Sequence, residues 1–314
     1  MTETVAPTPT VRSLREWLTR NPVALKELRG RMRGARAFIV LAVYLLLMSG
    51  FITLMYTIYV SANNSVTGGQ DRQILGKYVF GGVVGIELLL VCFITPAFTV
   101  GAISGERERQ TYDLLKTTLL PERSLIFGKL ISALAYVFLL LLAALPLQSL
   151  AFLLGGVAPE EVLIATVLLM VTAFLFSAAG VFFSSLMRRT LGATIMTYAF
   201  VLLMTLGLPI LLFPLALFAS LFSTSNPPIE VIVVLVYVFL ILVATNPVAT
   251  MIGTEVLLVT ENTIFYHTLP VPTPQGNNIN LPFISPWLPY TAFALGLGAA
   301  LILLSILSLK RTER

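Results

Sequence analysis

The densest group of charged side chains lies in one segment, which runs from Ser104 to Lys129 and reads SGERERQTYDLLKTTLLPERSLIFGK. It holds nine of the 35 charged residues in a chain of 314. The same segment carries Leu114, Leu115, Leu119 and Leu120, which a plain solvated loop would not need. The combination indicates a segment that stays outside a bilayer and still offers an apolar face.

Few other residues could support catalysis. Cys92 and His267 are the only cysteine and histidine, so an internal disulfide is impossible and a Cys/His metal cluster nearly so. The sequence has no G-x-x-x-x-G-K-[ST] phosphate loop and no G-x-S-x-G nucleophile motif. We therefore predict a protein that is not an enzyme and has no cofactor.

The methionines are a possible metal path. Seven of the nine lie in or near apolar stretches, where thioethers could pass copper along. With one cysteine and one histidine in the chain, packing of a hydrophobic core is the favoured interpretation.

Composition decides the broad class. The chain is 57% hydrophobic and 11% charged, with mean hydropathy +0.92, whereas soluble domains have about 25% charged residues. It is predicted to be an integral membrane protein whose solvent is the lipid bilayer. The net charge of +5 fits the basic bias that orients membrane spans, and we expect no nucleic-acid partner.

Six segments have the roughly 20 apolar residues that a spanning helix needs. The predicted fold is therefore an all-α integral membrane protein with six transmembrane helices, at Ala37–Val60, Val79–Val100, Leu130–Leu154, Val162–Met187, Leu191–Leu221 and Leu288–Leu309.

A seventh apolar stretch, Val231–Thr260, is broken by Asn246-Pro247 into halves too short to cross alone. Basic residues cluster at both termini, which predicts that both termini lie in the cytoplasm and that the number of crossings is even. The stretch would then be a re-entrant broken helix before the last span of a multi-pass protein of the cell membrane. The alternative is seven spans with an outer C-terminus.

The chain divides into three parts. Residues 1–36 form a cytoplasmic tail with an amphipathic helix at the inner interface, residues 37–309 the transmembrane domain, and residues 310–314 a cytoplasmic tail. The interfacial helix is predicted from Trp17, Leu25, Leu28 and Arg29, which recur at helical spacing. The alternative is a basic flank that only sets topology.

Residues 101–129 form the cytoplasmic loop between the second and third spans. Thr111 can cap a short helix, along which Tyr112, Leu115 and Leu119 form one stripe, and Pro121 ends it. Such a helix at the membrane surface could dock a cytoplasmic protein. The simpler alternative is a solvated loop whose leucines rest on lipid.

Acidic residues within apolar stretches are candidates for a translocation path. Glu87 lies inside the second span, where a charge costs roughly 2.5–3.5 kcal/mol on insertion scales. It could line the path together with Gln148 and Glu255, or bond a neighbouring helix with Gln148 as the partner. Glu255 and Glu261 follow the Asn246-Pro247 break and could form an outer gate.

Two stretches resemble the ABC transporter permeases of type 2. The segment GERERQTYDLLKTTLLPERSLIFGKL is similar to the loop after the second span in that family, and NPVALKELRGRMRGARAF resembles its N-terminal connecting helix. The residues that match the loop pattern are Glu106, Glu108, Thr111, Leu114, Leu115, Thr117, Thr118, Gly128 and Lys129. The chain departs from the pattern at Leu119-Leu120-Pro121, because many members have proline directly after the paired threonines.

The resemblance implies a permease subunit that exports a lipophilic or amphiphilic substrate. Its partners would be a separate ABC ATPase, present in two copies, and a second permease copy or a paralogue. The implied coupling helix is Leu114–Leu120, and the implied coupling residues are Glu106, Glu108, Thr111, Leu114, Leu115, Thr118 and Leu119. The Arg188-Arg189 turn is a candidate second contact.

Two other functions compete with this interpretation. An ion-coupled secondary transporter would need several ionisable groups at membrane depth, and only Glu87 is clearly deep. A membrane enzyme that acts on lipids would need a nucleophile and base or metal ligands, and the sequence offers neither pattern.

Overall fold

The computed structural model describes residues 35–63, 69–112, 122–222, 229–261, 264–272 and 278–311, and positions 27 and 30. In these residues the chain forms helices and one β-hairpin. The elements are α1 Ala35–Asn63, α2 Gly69–Thr99, α3 Ser104–Glu108, α4 Glu122–Leu154, α5 Pro159–Leu186, α6 Thr190–Phe222, α7 Ile229–Val243, α8 Pro247–Glu261, β1 Tyr266–Pro272, β2 Asn278–Ile284 and α9 Trp287–Arg311.

The six predicted spans are confirmed. Among the described residues, α1, α2, α4, α5, α6 and α9 contain six stretches long and apolar enough to cross a membrane. Their outer surfaces carry large apolar side chains, such as Phe38, Leu46 and Leu153. A soluble fold would bury such residues, so this is an all-α membrane fold whose apolar surface suits lipid.

Helix α5 is the centre of the bundle. Side chains are buried from Glu161 in its first turn to Ser185 in its last. It packs against α2, α4, α6, α8 and α9, whereas the main described contacts of α1 are with α2 and α4. The side chains of α5 therefore contribute to contacts throughout the structure.

Helix α2 begins at Gly69, ten residues before the predicted start of the second span at Val79. The extra turns pack against the end of α4. A Cβ on Gly76 would overlap the carbonyl oxygen of Gly155, and one on Gly156 would overlap that of Gln73. Hydropathy detects only the apolar part of a helix, so it misses turns held by such close packing outside the membrane.

Helices α7 and α8 form a V with a bend of 114° between them. At the tip, the Asn246 side chain donates hydrogen bonds to the carbonyls of Met204 at 2.7 Å and Thr205 at 2.9 Å. Both carbonyls lie near the middle of the 33-residue α6. The bend confirms that the stretch is broken at Asn246-Pro247, and both a re-entrant hairpin and a broken seventh span have this form.

The hairpin of β1 and β2 is an element that the sequence did not predict. Its strands pair antiparallel from Tyr266 opposite Ile284 to Pro272 opposite Asn278. Prolines made this stretch look like an irregular loop, but proline is tolerated on edge strands, and both strands of this two-stranded sheet are edges. The indole of Trp287 holds the hairpin to α9 by donating to the Ile264 carbonyl at 3.0 Å.

We predict that Asn246→Ala lowers the thermal unfolding temperature of the purified protein. The change removes the two bonds to α6 and the side-chain oxygen that accepts from the Ala249 N–H at 2.9 Å. Loss of an N-cap alone costs about 0.5–2 kcal/mol. The control is Thr245→Ala, because the Thr245 hydroxyl bonds only within its own turn, to the Leu242 carbonyl. Equal melting temperatures for both variants would contradict the role of Asn246 as an anchor.

Candidate functional site

A corner between α2 and α3 begins the charged segment, and a serine from α5 holds this corner. The Ser184 hydroxyl accepts hydrogen bonds from the backbone N–H groups of Ile103 at 2.9 Å and Ser104 at 3.0 Å. The residue before α3, Ile103, has no side chain that could cap the helix itself. Ser184 therefore supplies from another helix the cap that α3 lacks.

Two charged residues of α3 bind the turn between α5 and α6. The Arg107 guanidinium donates to the carbonyls of Ser185 at 3.0 Å and Met187 at 3.3 Å, which end α5. The Glu108 carboxylate accepts from the Thr190 N–H at 2.9 Å and from its hydroxyl at 2.6 Å, where α6 begins. A cation thus lies at a helix C-terminus and an anion at a helix N-terminus, as the helix dipoles favour.

Lys129 of α4 is buried beneath the segment. Its ammonium donates to the Ala102 carbonyl and lies 3.0 Å from the Glu106 carboxylate and 3.7 Å from that of Glu27. Glu106 also accepts a hydrogen bond from the Thr111 hydroxyl. The sequence analysis placed Lys129 at the end of the charged segment as a match to the loop pattern, and the structure makes it the centre of a cluster that joins three parts of the chain.

The corner is also tightly packed. Gly180 of α5 lies against Thr99, the last residue of α2, so closely that a Cβ at position 180 would overlap the threonine side chain. Because the Thr99 side chain rests directly on the Gly180 backbone, a shift of one helix presses on the other. We call the contacts that Ser184 and Lys129 make with this corner, together with those that Arg107 and Glu108 make with the α5–α6 turn, the corner network.

Part of the predicted coupling site lies in this network. Glu106, Glu108 and Thr111 are brought together around α3, as described above. Leu114, Leu115, Thr118 and Leu119 lie outside the described residues, and so do Trp17, Leu25, Leu28 and Arg29 of the predicted interfacial helix. Their roles stay predictions.

The structure brings Glu87 and Gln148 together. The Gln148 side-chain nitrogen donates to both carboxylate oxygens of Glu87, each at 2.8 Å. Both residues are buried between α2 and α4, and the void that Glu87 lines is only about 10 Å³. This geometry favours the structural alternative, in which the pair joins two helices, and a role in translocation stays a prediction.

Glu255 occupies a different environment. It lies on the wall of a cavity of about 1060 Å³ formed by side chains of α2, α5, α6 and α8, and Glu87 and Gln148 do not contribute to that wall. The three tentative path residues are therefore divided between a packed pair and a large open space.

Comparison with known proteins decides the family. A sequence model described as "ABC-2 family transporter protein" matches residues 21–313, which is nearly the whole chain. The chain belongs to the ABC-2 transporter family. It is thus a permease subunit of an ABC transporter, whose partner is an ABC ATPase subunit. Among curated proteins, no sequence matches the chain.

The family assignment favours a permease over the ion-coupled transporter that the sequence left open. In the permease, sequence reasoning missed Ser184, Arg107 and Lys129 as parts of one cluster. A hydroxyl within an apolar span gives no signal of what it caps. For Lys129 the signal was present, because a lysine beside a glycine at the edge of a span must find partners if it is buried.

We predict that Ser184→Ala destabilises the permease and that Ser185→Ala does not. The first change leaves two buried N–H groups without their acceptor, at about 1–3 kcal/mol for each such group. Ser185 is the matched control, because its buried hydroxyl bonds only to the Phe182 carbonyl of its own helix. Thermal unfolding monitored by tryptophan fluorescence would compare them. Equal melting temperatures would show that Ser184 does not hold the corner.

Proposed function

We propose that the permease exports a lipophilic or amphiphilic substrate, and that the segment after α3 couples it to the ATPase. The complete transporter would contain two ATPase copies and either a second copy of this chain or a paralogue. The observation that carries this proposal is the corner network. It fastens the start of the charged segment to α4, α5 and α6 within a few residues.

The network gives the segment fixed supports on both sides. Before it, Arg107 bonds α5 and stacks over the Tyr112 ring at 5.2 Å. After it, α4 begins at Glu122 and buries Lys129 against the α2–α3 corner. A short helix at Leu114–Leu120 would therefore stand on supports that lead directly into the bundle, which is what a docking element requires in order to transmit movement.

One described residue of the N-terminal segment, Glu27, contacts the corner network. Glu27 lies 3.7 Å from Lys129. This contact supports an interfacial helix, carrying Trp17, Leu25, Leu28 and Arg29, that runs beside the coupling loop. We propose that both lie on the cytoplasmic face together with the two chain termini, in the cell membrane.

The charges at the two ends of the bundle support this orientation. The helix ends near α3 carry Arg107, Lys129, Arg188 and Arg189, whereas Lys77 and Glu161 lie at the opposite end. Basic residues mark the cytoplasmic side of membrane proteins. The β-hairpin and the mouth of the α7–α8 hairpin would then face outward.

The docking prediction concerns Leu115 and Leu119. Leu115→Asp and Leu119→Asp would each place a charge in an apolar contact, where an unpaired charge is strongly unfavourable. We expect each variant to lose the ATPase in a co-purification experiment while the permease keeps its size-exclusion profile, because the change lies outside the spans.

The control is Gln110→Asp, which introduces the same charge into the same segment at an exposed position with φ of 57°, a backbone conformation that aspartate tolerates. This variant should retain the ATPase. Full recovery of the ATPase by both leucine variants would show that Leu114–Leu120 is not the docking element.

The orientation prediction uses single cysteines in a chain with Cys92→Ser. A cysteine at exposed Asn280, in β2, should react with an impermeant thiol reagent added to intact cells, as should one at exposed Glu160. A cysteine at exposed Arg189 should react only after the membrane is opened. Labelling of Asn280→Cys only in opened cells, with Glu160→Cys still labelled from outside, would support seven spans instead.

A further inference from the structure

The large cavity of the permease has an apolar body and one polar end. Its volume, about 1060 Å³, is at the upper limit of the roughly 300–1,000 Å³ of small-molecule sites. Leucine, isoleucine, valine and aromatic side chains of α2, α5, α6 and α8 form most of the wall. The polar end contains Glu161 from the first turn of α5 and Thr254 and Glu255 from α8.

Each of these three residues has an oxygen that is buried and unpartnered. Within the described part of the chain, no hydrogen-bond partner exists for Glu161 Oε2, Glu255 Oε1 or Thr254 Oγ1. Glu161 is only 7% exposed and Thr254 only 2%. A buried polar atom without a partner costs about 1–3 kcal/mol, so three of them in one cavity indicate a site that a ligand completes.

The described side chains at this end of the cavity hold more acidic than basic groups. Lys77 of α2 is close enough to attract both carboxylates. However, the Lys77 ammonium nitrogen is not within 4.0 Å of a carboxylate oxygen of Glu161 or Glu255, so it forms an ion pair with neither of these two described residues. Among the described side chains here, the two cavity carboxylates face one ammonium, so a ligand with a single positive charge would allow both carboxylates to be ionised together.

Other classes of ligand fit the cavity poorly. An anion would be repelled by the carboxylates. A neutral lipid chain would fill the apolar body but leave the three oxygens without donors. A sugar would bring many hydroxyl groups against a wall that is otherwise almost entirely apolar.

We propose that this cavity binds a lipophilic monocation, an organic ammonium or a related cation carried on an apolar body. Glu161 and Glu255 hold the cationic group and Thr254 accepts a hydrogen bond from it, while Tyr198 and Phe93 offer aromatic faces to the body. This inference rests on the proposed function and narrows its substrate to a chemical class.

The test measures binding to the purified permease in lipid nanodiscs without the ATPase. Rhodamine 6G is the lipophilic cation and Nile red the neutral hydrophobe, both followed by fluorescence anisotropy against empty nanodiscs. We expect Glu161→Gln and Glu255→Gln each to weaken rhodamine 6G binding about 10-fold or more, because each removes a charge-assisted contact. Nile red binding should not change.

Glu160→Gln is the matched control. Glu160 is the neighbouring carboxylate on α5, but it is exposed and does not line the cavity. Rhodamine 6G binding should stay within about twofold of the wild-type value, as for an ordinary surface change. Unchanged rhodamine 6G binding in the Glu161→Gln, Glu255→Gln double variant would overturn the proposal.

A second measurement uses the wild-type protein, so that it does not depend on the variants folding. Dicyclohexylcarbodiimide modifies carboxyl groups in apolar surroundings, and mass spectrometry would locate the adducts. Rhodamine 6G should slow modification of Glu161 and Glu255, and Nile red should not. Equal protection by both dyes would mean that the site selects for size rather than charge, which would also overturn the proposal.

The docking proposal and the cation-binding proposal can be tested independently of each other. The docking experiment needs the ATPase and no substrate, whereas the binding experiment needs a cation and no ATPase. Retained docking with no cation selectivity would leave the coupling site intact and exclude this substrate class.

Discussion

A polar group inside a bilayer has no water to bond, and this constraint explains where the permease joins its helices. Two of the breaks in the described helical structure are closed by side-chain hydrogen bonds. Ser184 supplies the acceptor for the α2–α3 corner, and Asn246 bonds both the start of α8 and the carbonyls of mid-α6. Non-helical backbone is tolerated at depth only when it is satisfied in this way. The α2–α3 corner and the α7–α8 tip are therefore also places where separate helices are joined by hydrogen bonds.

The sequence predicted what local chemistry determines. The apolar lengths of the spans were sufficient to find all six, and Asn246-Pro247 was sufficient to find the break, because asparagine caps a helix and proline starts one. Sequence patterns could not predict which residues pair when they lie far apart along the chain. Lys129 binds Ala102 and Glu27, and neither spacing is periodic. The partnership of Glu87 with Gln148 was suggested because both are polar residues in neighbouring apolar spans.

Glu161 shows why a candidate site can be missed. It follows Pro159 and Glu160 at the start of α5, where proline and acidic residues are expected for reasons of helix geometry and dipole. That local explanation is complete in itself, so the sequence gives no reason to look further. Only the packing of α8 against α5 shows that one of the two glutamates is buried at a cavity and the other is exposed.

The polar end of the cavity and the corner network lie at opposite ends of the same two helices. Helix α5 carries Glu161 in its first turn and Ser184 in its last, over 28 residues or about 42 Å. Helix α2 carries Lys77 near its start and Thr99 at its end. The contact of Thr99 with Gly180 locks the two helices together beside α3.

The opposite wall of the cavity is joined to that pair less tightly. The contacts of α6 and α8 with α2 and α5 include the cavity itself, while Glu108 bonds the start of α6 at a solvent-exposed position. The Glu108 bond would carry the start of α6 along with α3, so we expect a displacement of α3 to change the cavity where α2 and α5 shift against α8 and the later turns of α6. Rigid units that rock about a site between them are the general basis of alternating access. Under the proposed coupling, a movement of the charged segment would change the distance between the cavity wall formed by α2 and α5 and the wall formed by α6 and α8.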